Sequence, residues 1–261
     1  MHVGMHVRAW DKSALIGAAV ALLWASAGPV AADRPDSLRE ALVGSRAQDG
    51  RDHRHSPTVA RYVSETGANF VFDRTGRAAL LKFERSQEIW ALHPSPGPNG
   101  DVIYKNDLGQ PVVRFTRLGG LTVFTRERPN GVPAALTGEA VAFKAPQMSP
   151  QALVQTMARS SGRASKSAKR LIPFHAPDVA RGSEFLFADA AVVAAEAVAR
   201  LAATANGRDL VAAVKQVRLI PGRKSDAKLL RDGTLEVTVA PQHGMAGRPS
   251  SGKLVRTIAQ R

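Results

Sequence analysis

Cysteine is absent from all 261 residues. That excludes disulfides, thiolate metal sites and cysteine nucleophiles, and it leaves no thiol to carry a lipid. Aromatic residues make up only 5% of the chain, and they do not interleave with basic ones as a base-stacking surface requires, so nucleic acid is not an expected partner. Acidic side chains are the minority charge: 22 Asp and Glu stand against 36 Lys and Arg, a formal net charge of +14. Long apolar runs are missing as well. The run Ser13 to Trp24 has 12 residues, short of the roughly 20 that a spanning helix needs.

Twelve apolar residues do suit a secretory leader. Arg8 and Lys12 form its basic start, Ser13 to Trp24 its apolar centre, and small residues follow the break at Gly28-Pro29. Two small-x-small cleavage sites fit, after Ala27 and after Ala32. The second leaves a polar start at Asp33 and is preferred, with an uncleaved helical anchor as the alternative. Residues 1–32 are therefore expected to be a signal peptide. The working chain is expected to be 33–261, periplasmic or secreted after cleavage near Ala32. Twenty-six of the basic residues are arginine, a bias that with the abundant alanine reflects a GC-rich coding sequence as much as selection for recognition. A surface this basic still attracts polyanions.

Residues 33–66 read as a polar lead-in, with a short helix at Ser37–Val43 and a segment Val59–Ser64 that is either helical or extended. Residues 67–145 read as β-rich. Short runs at Phe70–Asp73, Ala79–Glu84, Glu88–Leu92, Asp101–Tyr104, Val112–Thr116 and Leu121–Thr125 alternate with turn residues, and Gly138–Lys144 is a candidate seventh strand. Pro94, Pro96 and Pro98 mark a stiff loop. The spacing suits an antiparallel meander, a sandwich or a small barrel, while the runs are too short for an outer-membrane barrel.

Residues 146–261 read as helical with a C-terminal hairpin, either separate from 67–145 or one domain with it. Ser149-Pro150 starts one helix. Ser183 to Asn206 is an Ala-rich core helix whose interior charges, Asp189, Glu196 and Arg200, share one stripe, with Glu196 and Arg200 spaced to pair. A short helix is expected at Asp209–Val214, then a run Gln216–Ile220. Asp232-Gly233 between Lys228–Arg231 and Thr234–Val239 signals a hairpin, and the tail around Met245 and Leu254 reads as a loop. The fold class is α+β.

Several motifs match only partly. Gly247-Arg-Pro-Ser-Ser-Gly-Lys253 has the glycine and lysine spacing of a phosphate loop, but Leu254 stands where a Ser or Thr would hold magnesium. Ser250-Ser-Gly-Lys253 fits the Ser-x-x-Lys of penicillin-recognising enzymes without the later strand motif. His53 and His55, with Asp49 or Asp52, offer too few fixed ligands, so no metal or cofactor is implied. His93, His175 and His243 have no serine or carboxylate tied to them by a motif. Glu84, Glu88, Asp101 and Asp107 fall at ends of β-runs, where loops would gather carboxylates for glycan hydrolysis or calcium binding.

The basic patch Arg159, Arg163, Lys166, Lys169 and Arg170 is the strongest candidate binding surface. If helical, its charges lie mostly on one face, which suits an anionic surface.

The stretch Gly97–Thr125, together with Ala246-Gly-Arg-Pro-Ser250, resembles a family of exported bacterial proteins of unknown function. The resemblance implies no catalytic or binding residue. The leading expectation is a non-catalytic protein that binds an anionic envelope polymer, a lipid surface or a protein partner through its basic surface. An envelope hydrolase with a site at the loops of the β-rich region, near His93 and Asp101, is the alternative, and an assembly factor docking through its tail or serine-rich segment is a third.

Overall fold

A computed structural model describes residues 57–260. The expected leader, the Ser37–Val43 helix and the His53–His55 pair lie outside the described residues. The fold is α+β, and eight strands come first: β1 (Val59–Ser64), β2 (Asn69–Asp73), β3 (Ala79–Phe83), β4 (Trp90–Pro96), β5 (Val102–Lys105), β6 (Pro111–Phe115), β7 (Leu121–Val123) and β8 (Val132–Glu139). Each runs antiparallel to the next, and β8 returns to β1, so the meander closes into a barrel. Closure removes the two free edges that an open meander would leave.

Alternation along the strands sends one side chain in two to the interior. Tyr62, Phe70, Phe72, Leu81, Leu92 and Val113 are each 2% exposed or less. Tyr62 stacks on Phe70 at 5.6 Å between ring centres, and Phe72 meets Tyr104 edge-on at 5.0 Å. Eight strands enclose a space that side chains can just fill. The barrel interior is a packed core.

Val59–Ser64, read as either helical or extended, is extended and is a barrel strand. Two details differ from the sequence reading. The last strand is Val132–Glu139 and not Gly138–Lys144. Pro133 and Gly138 are poor strand formers, but ladders from β7 and β1 on the strand's two sides supply the pairing that propensity does not. Pro94 and Pro96 sit inside β4 and not in a loop. Because β3 pairs β4 only over Trp90–Leu92, the prolines have β5 alone as neighbour, a position where a missing N–H is tolerated.

The second half contains α1 (Pro150–Ala168), β9 (Phe174–His175), α2 (Glu184–Ala202), α3 (Gly207–Val211), β10 (Gln216–Pro221), β11 (Asp226–Leu229), β12 (Thr234–Val239) and α4 (Ser251–Ala259). The sheet order is β11-β12-β10-β9, with β10 parallel to both its neighbours. The expected hairpin is β11–β12, and Gly233 at its turn has φ +92, a conformation that favours glycine. The expected core helix is α2, whose Phe187, Ala191, Ala194, Ala197 and Val198 are fully buried. Its alanines let α1 lie close alongside.

That helix stops at Ala202, before the expected Asn206-Gly207 cap. Gly207 instead opens α3, and a Cβ there would fall 1.6 Å from the Leu201 carbonyl oxygen. Glycine is needed for close approach at this point, not for a left-handed cap. The tail is also helical where a loop was expected. Ser250 Oγ accepts from Lys253 N at 3.0 Å as the N-cap of α4, and Leu254 and Ile258, one turn apart, are fully buried. No helix among the described residues is long and apolar enough to cross a membrane.

The Tyr62 hydroxyl is buried in the barrel without a hydrogen-bond partner among the described residues. Burial pushes its ionisation above 10.0, opposed by the charge of Arg74. Tyr62→Phe keeps the ring stack and removes an unsatisfied polar group. Thermal denaturation should show stability unchanged or raised by up to about 1 kcal/mol, and a clear loss would show that the hydroxyl is engaged.

Candidate binding cleft where the barrel meets the helical layer

In an up-and-down barrel, alternate connections gather at the same end. The β3–β4 and β5–β6 connections therefore share an end, and the β4–β5 connection lies at the other. This parity brings Glu88 and Asp107 together and sends Asp101 away. Asp107 is held by its turn: the Asn106 side-chain oxygen accepts from the N–H groups of Leu108 and Gln110 at 3.0 and 2.9 Å. Gly109, at φ +77, completes the turn.

Both carboxylates close on the start of α4. Ser250 donates to Asp107 through its backbone N–H at 2.7 Å and its hydroxyl at 2.6 Å. Ser251 does the same to Glu88, at 2.8 and 2.6 Å. A helix N-terminus has free N–H groups and the positive end of its dipole, so two anions there are stabilised. The Ser251 hydroxyl also accepts from Arg200 Nη1, at the end of α2, at 2.6 Å.

Arg248 ties the same region together from inside. Its side chain is 2% exposed. It pairs with Asp189 of α2, donates through Nη2 to the Ile89 carbonyl at 2.9 Å, and lies 3.6 Å from a Glu88 oxygen. One guanidinium thus joins α2, the tail and the barrel.

Around this joint lies a cleft of about 1030 Å³. Its apolar wall is formed by Phe83, Trp90, Leu108 and Phe124 from the barrel and Val255 from α4, all half-buried. Phe83 and Trp90 meet edge-on at 6.0 Å. Arg85, Arg126 and Arg256 are exposed at its rim, with His93 and Glu127. Four serines, a histidine and three carboxylates therefore line the cleft, and the hydroxyls of Ser250 and Ser251 donate to Asp107 and Glu88.

The chain matches the model of a domain of unknown function, DUF4908, over residues 37–258. It belongs to that family. No curated protein and no solved structure matches it.

The DUF4908 fold explains why the partial motifs of the tail behave as they do. The stretch that resembles a phosphate loop does precede a helix, but its first N–H groups donate to Asp107 and Glu88. In the Ser-x-x-Lys stretch, Lys253 Nζ turns to Asp226 of β11 at 2.8 Å. The hydroxyl of Ser250 thus faces a carboxylate and not an amine. Of the other carboxylates, Glu84 accepts from Asn69 Nδ2 at 3.0 Å, and Asp101 accepts from Arg114 Nε at 2.6 Å and from Arg117 N at 3.3 Å. His93 lines the cleft, His175 lies beside a second groove at α1, and His243 is exposed. No group of three or more His, Asp or Glu among the described residues is placed to hold a metal.

The basic patch is helical through Ala168, but its charges are divided. Arg163 pairs with Glu196 of α2, which displaces the expected Glu196–Arg200 pair. Arg170 donates to the carbonyls of Val211 and Ala212 at 3.0 Å and to that of Val214, closing the end of α3. Arg159 donates to Thr156 Oγ1 at 3.0 Å. Lys166 and Lys169 make no ion pair among the described residues. Sequence reasoning missed Arg248, Arg200 and the pairing of Ser250 and Ser251 with the barrel. The Ser N-cap followed by Leu254 and Ile258 at helical spacing was the available signal for α4.

Two predictions follow from these contacts. Arg248→Met leaves Asp189 and Glu88 without their shared cation and should cost about 3–5 kcal/mol in denaturant unfolding. Lys253→Ala breaks a pair that is far more exposed and should cost no more than about 1 kcal/mol. Equal losses would rule out Arg248 as the joint. The Arg114 side chain, with help from Arg117 N–H, holds the Asp101 carboxyl below its ordinary 3.8. The stabilisation is therefore complete above about pH 4 and is lost as pH falls through the lower folded value. Asp101→Asn should flatten that acid limb in a pH series of thermal melts and leave the neutral limb unchanged in shape.

Proposed function

We propose that this protein is a non-catalytic binding protein, acting after export, that takes an anionic envelope component on its basic surface, with the arginine rim of the junction cleft as the main contact. One observation carries the reading. Among the described residues, Arg85 and Arg256 are held by no ion pair or side-chain hydrogen bond, while two of the three carboxylates of the same cleft, Glu88 and Asp107, are already engaged by α4 and the third, Glu127, lies beside the charge of Arg126. A rim with uncommitted guanidinium groups and neutralised carboxylates favours an anion. Arg159 and Lys166 on α1, with Lys169 just after it, would extend the basic surface to a larger ligand or a protein partner. A hydrolase in the cleft is less well supported, because Ser250 and Ser251 face carboxylates and, among the described residues, no histidine bonds to either hydroxyl.

Thermal shift with inorganic phosphate, anionic lipid vesicles and sulfated polysaccharide, at low and high salt, tests this. An anion at 100 times its dissociation constant should stabilise by roughly 2.7 kcal/mol, with a smaller effect in high salt. Arg85→Gln with Arg256→Gln should remove most of the shift, and Lys166→Gln with Lys169→Gln should leave most of it. Absence of any anion-dependent shift, or turnover of ester or glycoside substrates lost in Ser250→Ala, would overturn the proposal.

A further inference from the structure

We infer that the cleft takes an amphipathic anion with a single apolar chain, its acidic head at Arg256, Arg85 and Arg126 and its chain along the Phe83–Trp90–Phe124 wall. The inference rests on the reading of the cleft as an anion site and adds the chemistry of the ligand's body. A polymer bound by charge would touch the arginines and leave the wall behind them wet. That wall is half-buried carbon from both parts of the fold: aromatic rings and Leu108 from the barrel, Val255 from α4. Covering such surface is favourable at about 25 cal/mol per Å². The volume, about 1030 Å³, lies at the upper end of the roughly 300–1,000 Å³ used by single small ligands.

Two other places for such a ligand are closed. The barrel interior is filled by Tyr62, Phe70, Phe72 and Leu81, so no chain enters it. The N-terminus of α4, otherwise a ready anion site, is taken by Asp107 and Glu88. The head group is left with the rim arginines. Val255 and Arg256 are adjacent on α4 and flank its buried Leu254 and Ile258, so one helix places an apolar and a cationic contact side by side.

Trp90 reports on the wall directly. The chain has 3 tryptophans, and Trp10 and Trp24 can be replaced by phenylalanine in the full chain to leave Trp90 alone. Its emission is followed during titration with alkyl phosphates of increasing length, kept below their micelle concentrations. Alkyl glucosides and alkyltrimethylammonium ions of equal length, and inorganic phosphate, serve as comparisons. The expected result is a saturable change for the alkyl phosphates, with affinity rising about fourfold per added methylene. The neutral and cationic amphiphiles should bind at least about tenfold more weakly. Arg85→Gln with Arg256→Gln should lower affinity by about tenfold or more and keep the chain-length slope, whereas Phe124→Ala should flatten the slope, with thermal melts showing that both variants fold.

Inorganic phosphate or sulfated polysaccharide binding as tightly as the longest alkyl phosphate would overturn this inference and leave the anion-binding proposal standing. Equal binding of all three head groups would overturn the assignment of the head to the arginines. No response of Trp90 together with no thermal shift from any anion would overturn both.

Discussion

A guanidinium removed from water costs several kcal/mol unless opposite charge and hydrogen-bond acceptors surround it. Arg248 meets that condition only because two separate parts of the chain converge on it: Asp189 from α2, and the Ile89 carbonyl and Glu88 from the barrel. The barrel has its own aromatic core and the helical layer its own aliphatic one, and the two cores are distinct. What joins them is polar. Arg248 and the two serines at the start of α4 couple elements whose apolar surfaces are satisfied separately, so the geometry of the junction depends on a few directional bonds.

That dependence shapes the cleft. The parity of an up-and-down barrel places the β3–β4 and β5–β6 connections at one end. Glu88 and Asp107 then each grip one serine through two bonds. Once α4 is seated in this way, Val255 and Arg256 line the same cleft as Phe83, Trp90 and Phe124. Two of the three carboxylates of the cleft are consumed in seating the helix, and the third, Glu127, lies beside the charge of Arg126.

The arginine excess has a related explanation. Arg114, Arg163, Arg170, Arg200 and Arg248 each hold a carboxylate, a hydroxyl or carbonyl oxygens within the fold. The planar fork of a guanidinium can satisfy several acceptors in different directions from one position, as at Arg248, which donates through Nε and both terminal nitrogens. A basic composition thus divides into cations used for assembly and cations left at the surface. Only the second group remains for a partner, and Arg85 and Arg256 belong to it.

Local pattern alone was enough for much of this chain. Alternation identified most barrel strands, Asp232-Gly233 the hairpin, the alanine run the core helix, and Ser149-Pro150 the start of α1, because each depends on neighbours in sequence. β8 was displaced because Val132–Glu139 is extended through its ladders to β1 and β7 and not through its own residues. The end of α2 was misplaced because Gly207 serves a close approach to Leu201, which no local rule contains. The candidate site was legible only in fragments: Glu88, Asp107, His93 and the Ser250-Ser-Gly-Lys253 stretch were all noticed, but each singly and without the contacts that join them. The identity of those residues was in the sequence. Their pairing, and the cleft it creates, came from barrel closure and helix seating, which join residues as far apart as Glu88 and Ser251 through contacts that no local spacing encodes.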